Sequence, residues 1–265
     1  MRPGGRSRPA GRSPARAYRL LLPAAIRPLA AALFAACVVV MVILGALVTH
    51  QTRAGWLDTA VEARVRASLG GEPGILNLLV RLGDPIPVTV MTTALVLACL
   101  ATRRWRGAVL VAVAVPAAGA IAQFVLKPLI DRTSFGYLSF PSGRATSVFA
   151  LAAAIAVLLA DPPRRRMTPV LRLLLALTAL LAAAAVAVAV VDEGIHYFTD
   201  AVGGAAVGIG VVLLTAFILD LLAAVRSAFW PASRPRALIA ARPPARERAP
   251  HGWRRGRQTL RITSR

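Results

Sequence analysis

Residues 171–223 read "LRLLLALTALLAAAAVAVAVVDEGIHYFTDAVGGAAVGIGVVLLTAFILDLLA". Two apolar runs, 171–191 and 201–223, flank the polar break 192–200. A membrane span takes roughly 20 apolar residues, with a range of about 17–25. Both runs meet that length. The break between them is too short to be a domain, yet it holds Asp192, Glu193, His196 and Asp200. Two spans joined by a charged tip fix the class of fold, and the rest of the chain repeats the pattern. Further apolar runs lie at 28–49, 85–102, 108–126 and 144–160. The expectation is an all-α, polytopic membrane protein with a bundle of six transmembrane helices.

Composition agrees. The chain has 265 residues, is 57% hydrophobic with a mean hydropathy of +0.65, and still carries a formal net charge of +21. No ordinary soluble domain is so apolar over such a length. The charge is compatible only because basic and apolar residues are segregated. Cys37 and Cys99 both fall inside apolar runs. They read as small packing residues rather than as a disulfide or zinc framework.

Arginine placement sets the orientation. Arg103, Arg104 and Arg106 lie between the second and third runs, and Arg164, Arg165 and Arg166 between the fourth and fifth. The N-terminal segment and the tail are Arg-rich as well. Six spans put all four on one side, which is the cytoplasm. Residues 1–27 then form a basic, disordered cytoplasmic segment, 28–223 the membrane domain, and 224–265 a basic cytoplasmic tail. The tail reads as a flexible cationic segment near anionic lipid, with no nucleic-acid partner expected. Three segments are left outside: 50–84, 127–143 and 192–200. In the first, Leu57, Val61, Val65 and Leu69 recur every fourth residue, with Asp58, Glu62, Arg64 and Arg66 between them. That is an amphipathic helix, lying either on the outer interface or on the bundle as a lid.

Ionisable residues at span ends are functional candidates, and the outer segments hold three elements. Lys127 and Arg132 are cations on the side where the charge bias predicts few. Lys127 is also the single lysine of the chain. In "FPSGRATS", residues 140–147, Ser142 can cap a helix starting near 144, and Gly143 permits close backbone approach. The helix's free N–H groups then face an anion. His196 and Asp200 stand four apart, on one helix face. A carboxylate on one ring nitrogen fixes the tautomer and leaves the other free to attack. Each element alone has a bland reading: interfacial anchors, an ordinary helix cap, an interfacial histidine. Together, on one face, they describe a phosphate site with a nucleophile.

These residues resemble the type-2 phosphatidic acid phosphatases, membrane lipid phosphate phosphatases that share a core with vanadium haloperoxidases. The family signature is K-x6-R-P, P-S-G-H and S-R-x5-H-x3-D on the outer face of a six-helix bundle. Lys127, Pro141, Ser142, Gly143, His196 and Asp200 match it. The first motif's Arg-Pro falls at Ser134 and Phe135, the second motif's histidine is Arg144, and the third motif's Ser-Arg falls at Ala189 and Val190.

The resemblance implies that His196 attacks phosphorus, that Asp200 orients it, and that Lys127, Arg132 and the N–H groups near Ser142 and Gly143 hold the equatorial oxygens. No metal or other cofactor is expected. The missing histidine is the family's general acid, and arginine, with a pKa above about 12, cannot replace it. A departing phosphate needs no proton, so Arg144 fits an isoprenoid diphosphate such as undecaprenyl diphosphate better than phosphatidate. The expected function is hydrolysis of a lipid phosphate or diphosphate at the outer face of the cell membrane. The alternatives are an inactive relative that binds lipid phosphates or a protein partner, and a transporter. His50, at the outer end of the first span, is a further candidate proton source.

Overall fold

In the computed structural model, residues 20–69, 73–160, 167–194 and 196–229 are described. The expected basic N-terminal segment (mostly residues 1–19) and the tail beyond 229 lie outside them. The chain is a multi-pass helical membrane protein. Its helices are α1 (Arg27–Val48), α2 (Trp56–Leu69), α3 (Pro73–Leu82), α4 (Pro85–Ala101), α5 (Trp105–Ala120), α6 (Lys127–Ile130), α7 (Gly143–Ala160), α8 (Pro169–Asp192) and α9 (Phe198–Phe229). A π-helical stretch, Ile121–Leu126, joins α5 to α6 into one span.

Five helical segments among the described residues are long and apolar enough to cross a membrane. The sixth, expected at 85–102, reaches that standard only when α3 and α4 are taken as one span bent by 58°. Gly83, Asp84 and Pro85 cause the break: proline offers no N–H and disfavours helical backbone in the residue before it. Asp84 then takes the N-cap position of α4 with Pro85 as its first residue. The π stretch has a related cause. Pro128 removes a donor and crowds the carbonyl one turn earlier, so the preceding turn widens. Lys127 N–H accordingly reaches back to the Ala122 carbonyl.

The core lies among α5, α7, α8 and α9, and α7 is its most buried member, with Ala145, Ala150, Ala152, Ala153 and Ala154 all inside. Leu173, Leu174, Leu177 and Leu181 on α8 are exposed, as lipid-facing residues are. The glycines of "AVGGAAVGIG" explain how α9 meets α7. A Cβ on Gly204 would stand 2.6 Å from the Ser142 carbonyl oxygen, and one on Gly208 would stand 2.8 Å from Ala150 N. Glycines four apart allow two membrane helices to touch backbone to backbone. This contact brings the first turn of α7 beside the start of α9, where Ser142 N–H donates to the Asp200 carbonyl at 3.0 Å.

The three segments expected on one face are joined there. His50 N–H bonds the Ile130 carbonyl and Thr133 N–H the Gln51 carbonyl, both at 3.0 Å. Between α6 and α7 a small hairpin pairs Thr133–Ser134 with Tyr137–Leu138. Phe135 and Gly136 form its turn, both at positive φ, which a two-residue hairpin turn of this type requires.

The opposite face carries the arginines. Arg104 donates to the Leu158 carbonyl, and Arg106 to both the Leu219 carbonyl and the Asp220 carboxylate. Asp220 is buried and also accepts the Leu21 and Leu22 N–H groups at 2.8 and 3.0 Å. The last part of the segment 1–27 is therefore tied to the bundle, with both leucines buried. Cys37 and Cys99 are free and buried, as packing residues should be.

Candidate active site

A cavity of about 550 Å³ lies between α4, α5, α7 and the loop before α9. Lys127, Gly143, Arg144 and His196 line it, all four of them expected site residues. Lys127 reaches it from the widened end of the long span. Gly143 and Arg144 are the first two residues of α7, whose N–H groups have no partner within the helix by position. A helix start facing a cavity is suited to an anion.

His196 has a side chain 12% exposed. Its Nδ1 is buried without a hydrogen-bond partner and stands 3.7 Å from Asp200 Oδ2. That orientation leaves Nε2 as the nitrogen available to a ligand. Asp200 is fully buried, and Oδ2 also accepts the Tyr197 N–H at 3.0 Å. Tyr197 is the N-cap residue of α9 and Asp200 its third helical residue. This is the reciprocal half of a capping box, so the helix start itself holds the carboxylate in place.

Three expected residues do not line the cavity. Ser142 is buried beneath the first turn of α7. It caps weakly, with its Oγ 3.5 Å from Ala145 N, and its own N–H is taken by Asp200. Asp200 stands behind His196. Arg132, expected on the phosphate, lies behind Asp200 and is 0% exposed. Its Nη1 donates to Asp200 Oδ1 and to Thr199 Oγ1, both at 2.6 Å. Its Nη2 donates to Asp58 Oδ2 at 2.6 Å, and its guanidinium stacks on Tyr197 at 4.3 Å from the ring centre. A guanidinium committed in this way braces the site from behind.

Arg144 is on the cavity wall but is not free of anions. Its Nε donates to Asp84 Oδ1 at 2.9 Å and its Nη1 to Glu193 Oε2 at 2.7 Å. One side chain thus joins α4, α7 and the end of α8. Two carboxylates fix the plane of the guanidinium. The Nη2 donors have no partner among the described residues. His50 bonds Asp131 at 3.3 Å and does not line the cavity.

Several residues were not singled out from sequence. Asp84 lines the cavity, and its signal was the Asp-Pro pair that starts a helix. Thr89, Thr92, Thr93, Gln123 and Ser147 line the deeper part. Polar side chains inside spans are a general pointer to a site, although threonine and serine in helices are commonplace. Asp58 carried no signal beyond its place in an amphipathic helix. Burial pushes its carboxyl up, but the Thr199 N–H and the Arg132 guanidinium outweigh that and hold it below the ordinary carboxylate value.

Residues 120–222 match the sequence model of the PAP2 superfamily. A similar solved structure is the crystal structure of a transmembrane PAP2-type phosphatidylglycerolphosphate phosphatase from Bacillus subtilis. It aligns with a TM-score of 0.58 at 18% identity, over 71% of this chain and 96% of that one. No curated protein matches the chain. The chain is similar to the PAP2 superfamily over that stretch, and its membrane fold is the one that the solved structure shows.

Proposed function

We propose that the chain is a membrane phosphatase that hydrolyses a lipid phosphate or diphosphate through a phosphohistidine on His196. The observation that carries this reading is His196 on the wall of a cavity that also holds Lys127 and the start of α7, with Asp200 behind its other ring nitrogen. Phosphoryl transfer needs little covalent help from a protein beyond positioning and charge stabilisation. His196 Nε2 bonds to phosphorus as the phosphorus–oxygen bond to the lipid breaks. Lys127 and the Gly143 and Arg144 N–H groups offset the charge on the equatorial oxygens. Asp200 supports the positive ring that forms. Water then attacks the phosphohistidine, releasing phosphate and neutral histidine.

The leaving group decides the substrate within this reading. Arg144 carries no transferable proton, so an alkoxide leaves unaided, and losing a general acid costs roughly 10²–10⁴ in rate. A phosphate leaving from a diphosphate is already a stable anion, with a second pKa of about 6. The Nη2 edge of Arg144 suits it. An isoprenoid diphosphate is therefore the favoured substrate, taken at the outer face of the cell membrane with both termini in the cytoplasm. The test is phosphate release by the purified protein in detergent over diphosphate and monophosphate lipids. Release from undecaprenyl diphosphate is expected to exceed that from phosphatidate by about 10²-fold or more. Equal rates remove the diphosphate preference.

A second reading is an inactive relative that binds lipid phosphates. Arg144 favours it, because the place of the family's acid is held by a cation already paired with Asp84 and Glu193. Arg144→His separates the two. A histidine between those carboxylates is held protonated and can act as an acid. Phosphatidate release is expected to rise by about 10²-fold. If neither the wild type nor this variant releases phosphate from any lipid, the binding reading stands.

A further inference from the structure

The phosphatase reading leaves Asp58 without a role, and it lies before the stretch that matches the superfamily. It is 1% exposed, although it sits on a helix outside the membrane spans. Its Oδ1 accepts the Thr199 N–H at 2.8 Å and its Oδ2 accepts Arg132 Nη2 at 2.6 Å. From Asp58 the contacts run to Arg132, then to Asp200, and end 3.7 Å from His196 Nδ1. Resting on the phosphatase reading, we propose that Asp58 is a positioning residue: it ties the docking of α2 to the basicity of His196 through Arg132 and Asp200.

Charge carries this coupling. Arg132 and Asp200 alone would form a neutral buried pair, with the carboxylate's field spent on the guanidinium. Asp58 takes the second edge of Arg132, and the three buried groups then sum to one negative charge beside the imidazole. That charge favours the positive ring formed when the N–P bond forms, and in low dielectric it is felt strongly. Asp58 also caps the start of α9, so α2 must be seated for His196 and Asp200 to be held. Other charged groups border the histidine loop. Lys127, Arg144 and Asp84 line the same cavity, and Glu193 pairs with Arg144. From α2, Arg66 Nη2 stands 3.4 Å from where a Cβ on Gly194 would be. Glu62 is pushed up by burial and by the Asp58 charge. Asp192 ends α8 with its Oδ1 buried and without a hydrogen-bond partner.

The experiment is Asp58→Asn in the full-length protein, with Asp58→Ser as the second charge-removing variant in case the first does not fold, and Asp58→Glu as the charge-keeping control. Phosphate release is measured against pH, with thermal unfolding alongside. Neutral histidine is the nucleophile, so kcat/KM falls in acid as the ring takes up a proton. Removing a negative charge beside the ring disfavours its protonated form and moves this acid limb to lower pH. The expected result in a folded charge-removing variant is a kcat about 10-fold lower, KM within about 3-fold, and a limb moved down by about half a unit or more. Asp58→Glu keeps the limb near its wild-type position. A folded variant with kcat and limb unchanged, or with only a lower unfolding temperature, overturns the proposal and leaves Asp58 a structural cap. His196→Ala in the same series tells the two failures apart. If it still turns over, the phosphatase reading falls. If it is dead while Asp58→Asn keeps its limb, only the role of Asp58 falls.

Discussion

His196→Ala is expected to reduce phosphate release from every lipid substrate to the level of a protein-free control, a fall of at least about 10³-fold. The size follows from the covalent step. With no imidazole, no N–P bond forms, and the remaining cavity can only hold phosphate against Lys127 and the start of α7. Those groups still bind, so KM for any residual turnover changes less than kcat. The variant is expected to stay folded, because the buried imidazole Nδ1 has no hydrogen-bond partner among the described residues. Asp200 keeps its bonds to Arg132 and the Tyr197 N–H. Unchanged helicity and an unchanged unfolding temperature separate lost chemistry from lost fold. Release within about 10-fold of wild type would remove His196 as nucleophile.

What the sequence made legible was what is local. Apolar runs of membrane length marked the helices. The run at 144–160 became α7 (Gly143–Ala160), and the run at 171–191 became α8 (Pro169–Asp192). Helix ends were less legible, because polar residues continue a helix past its apolar part: α9 runs from Phe198 to Phe229 against an expected 201–223. His196, Lys127 and Gly143 could be placed together because each sits at the end of a span, and the spans share one face. Pairings across the chain could not be read. Arg132 lies 74 residues from Asp58, and Arg144 lies 60 from Asp84 and 49 from Glu193.

The stripe on α2 shows the difficulty closely. Apolar spacing gave Leu57, Val61, Val65 and Leu69 as the apolar face, set on the outer interface or on the bundle. The side turned to the bundle instead includes Asp58, Val61, Glu62 and Val65, while Leu57 is exposed. Two acids on that face read from sequence as its solvent side. Only a buried guanidinium arriving from another segment makes Asp58 an inward residue.

That guanidinium carries the largest expected effect on stability. Arg132→Ala removes the one cation between two carboxylates that are 2% and 0% exposed. Breaking a buried ion pair from one side costs about 3–5 kcal/mol, because the partner charge stays buried and uncompensated. Here two partners are left. Against a total stability of about 5–15 kcal/mol for a typical domain, the loss is large. A marked fall in the unfolding temperature and in the yield of folded protein is expected. Arg132→Lys is expected to recover only part, since one ammonium cannot span both carboxylates as the planar fork does.

The pH dependence is the sharper check. In the wild type, Asp58 is held below its ordinary value, so it contributes stability above its unfolded pKa that is lost as pH falls through the folded value. In Arg132→Ala the same carboxyl is buried without a cation, its pKa rises, and acid relieves the strain by protonating it. Between about pH 8 and about pH 5 the wild type keeps this contribution, because both its folded and unfolded values lie lower, while acid eases the variant. The gap in unfolding temperature, measured in detergent at about pH 8 and about pH 5, is expected to narrow at the lower pH. A constant gap, or a wider one in acid, would mean that the carboxylates do not depend on Arg132 for their charge.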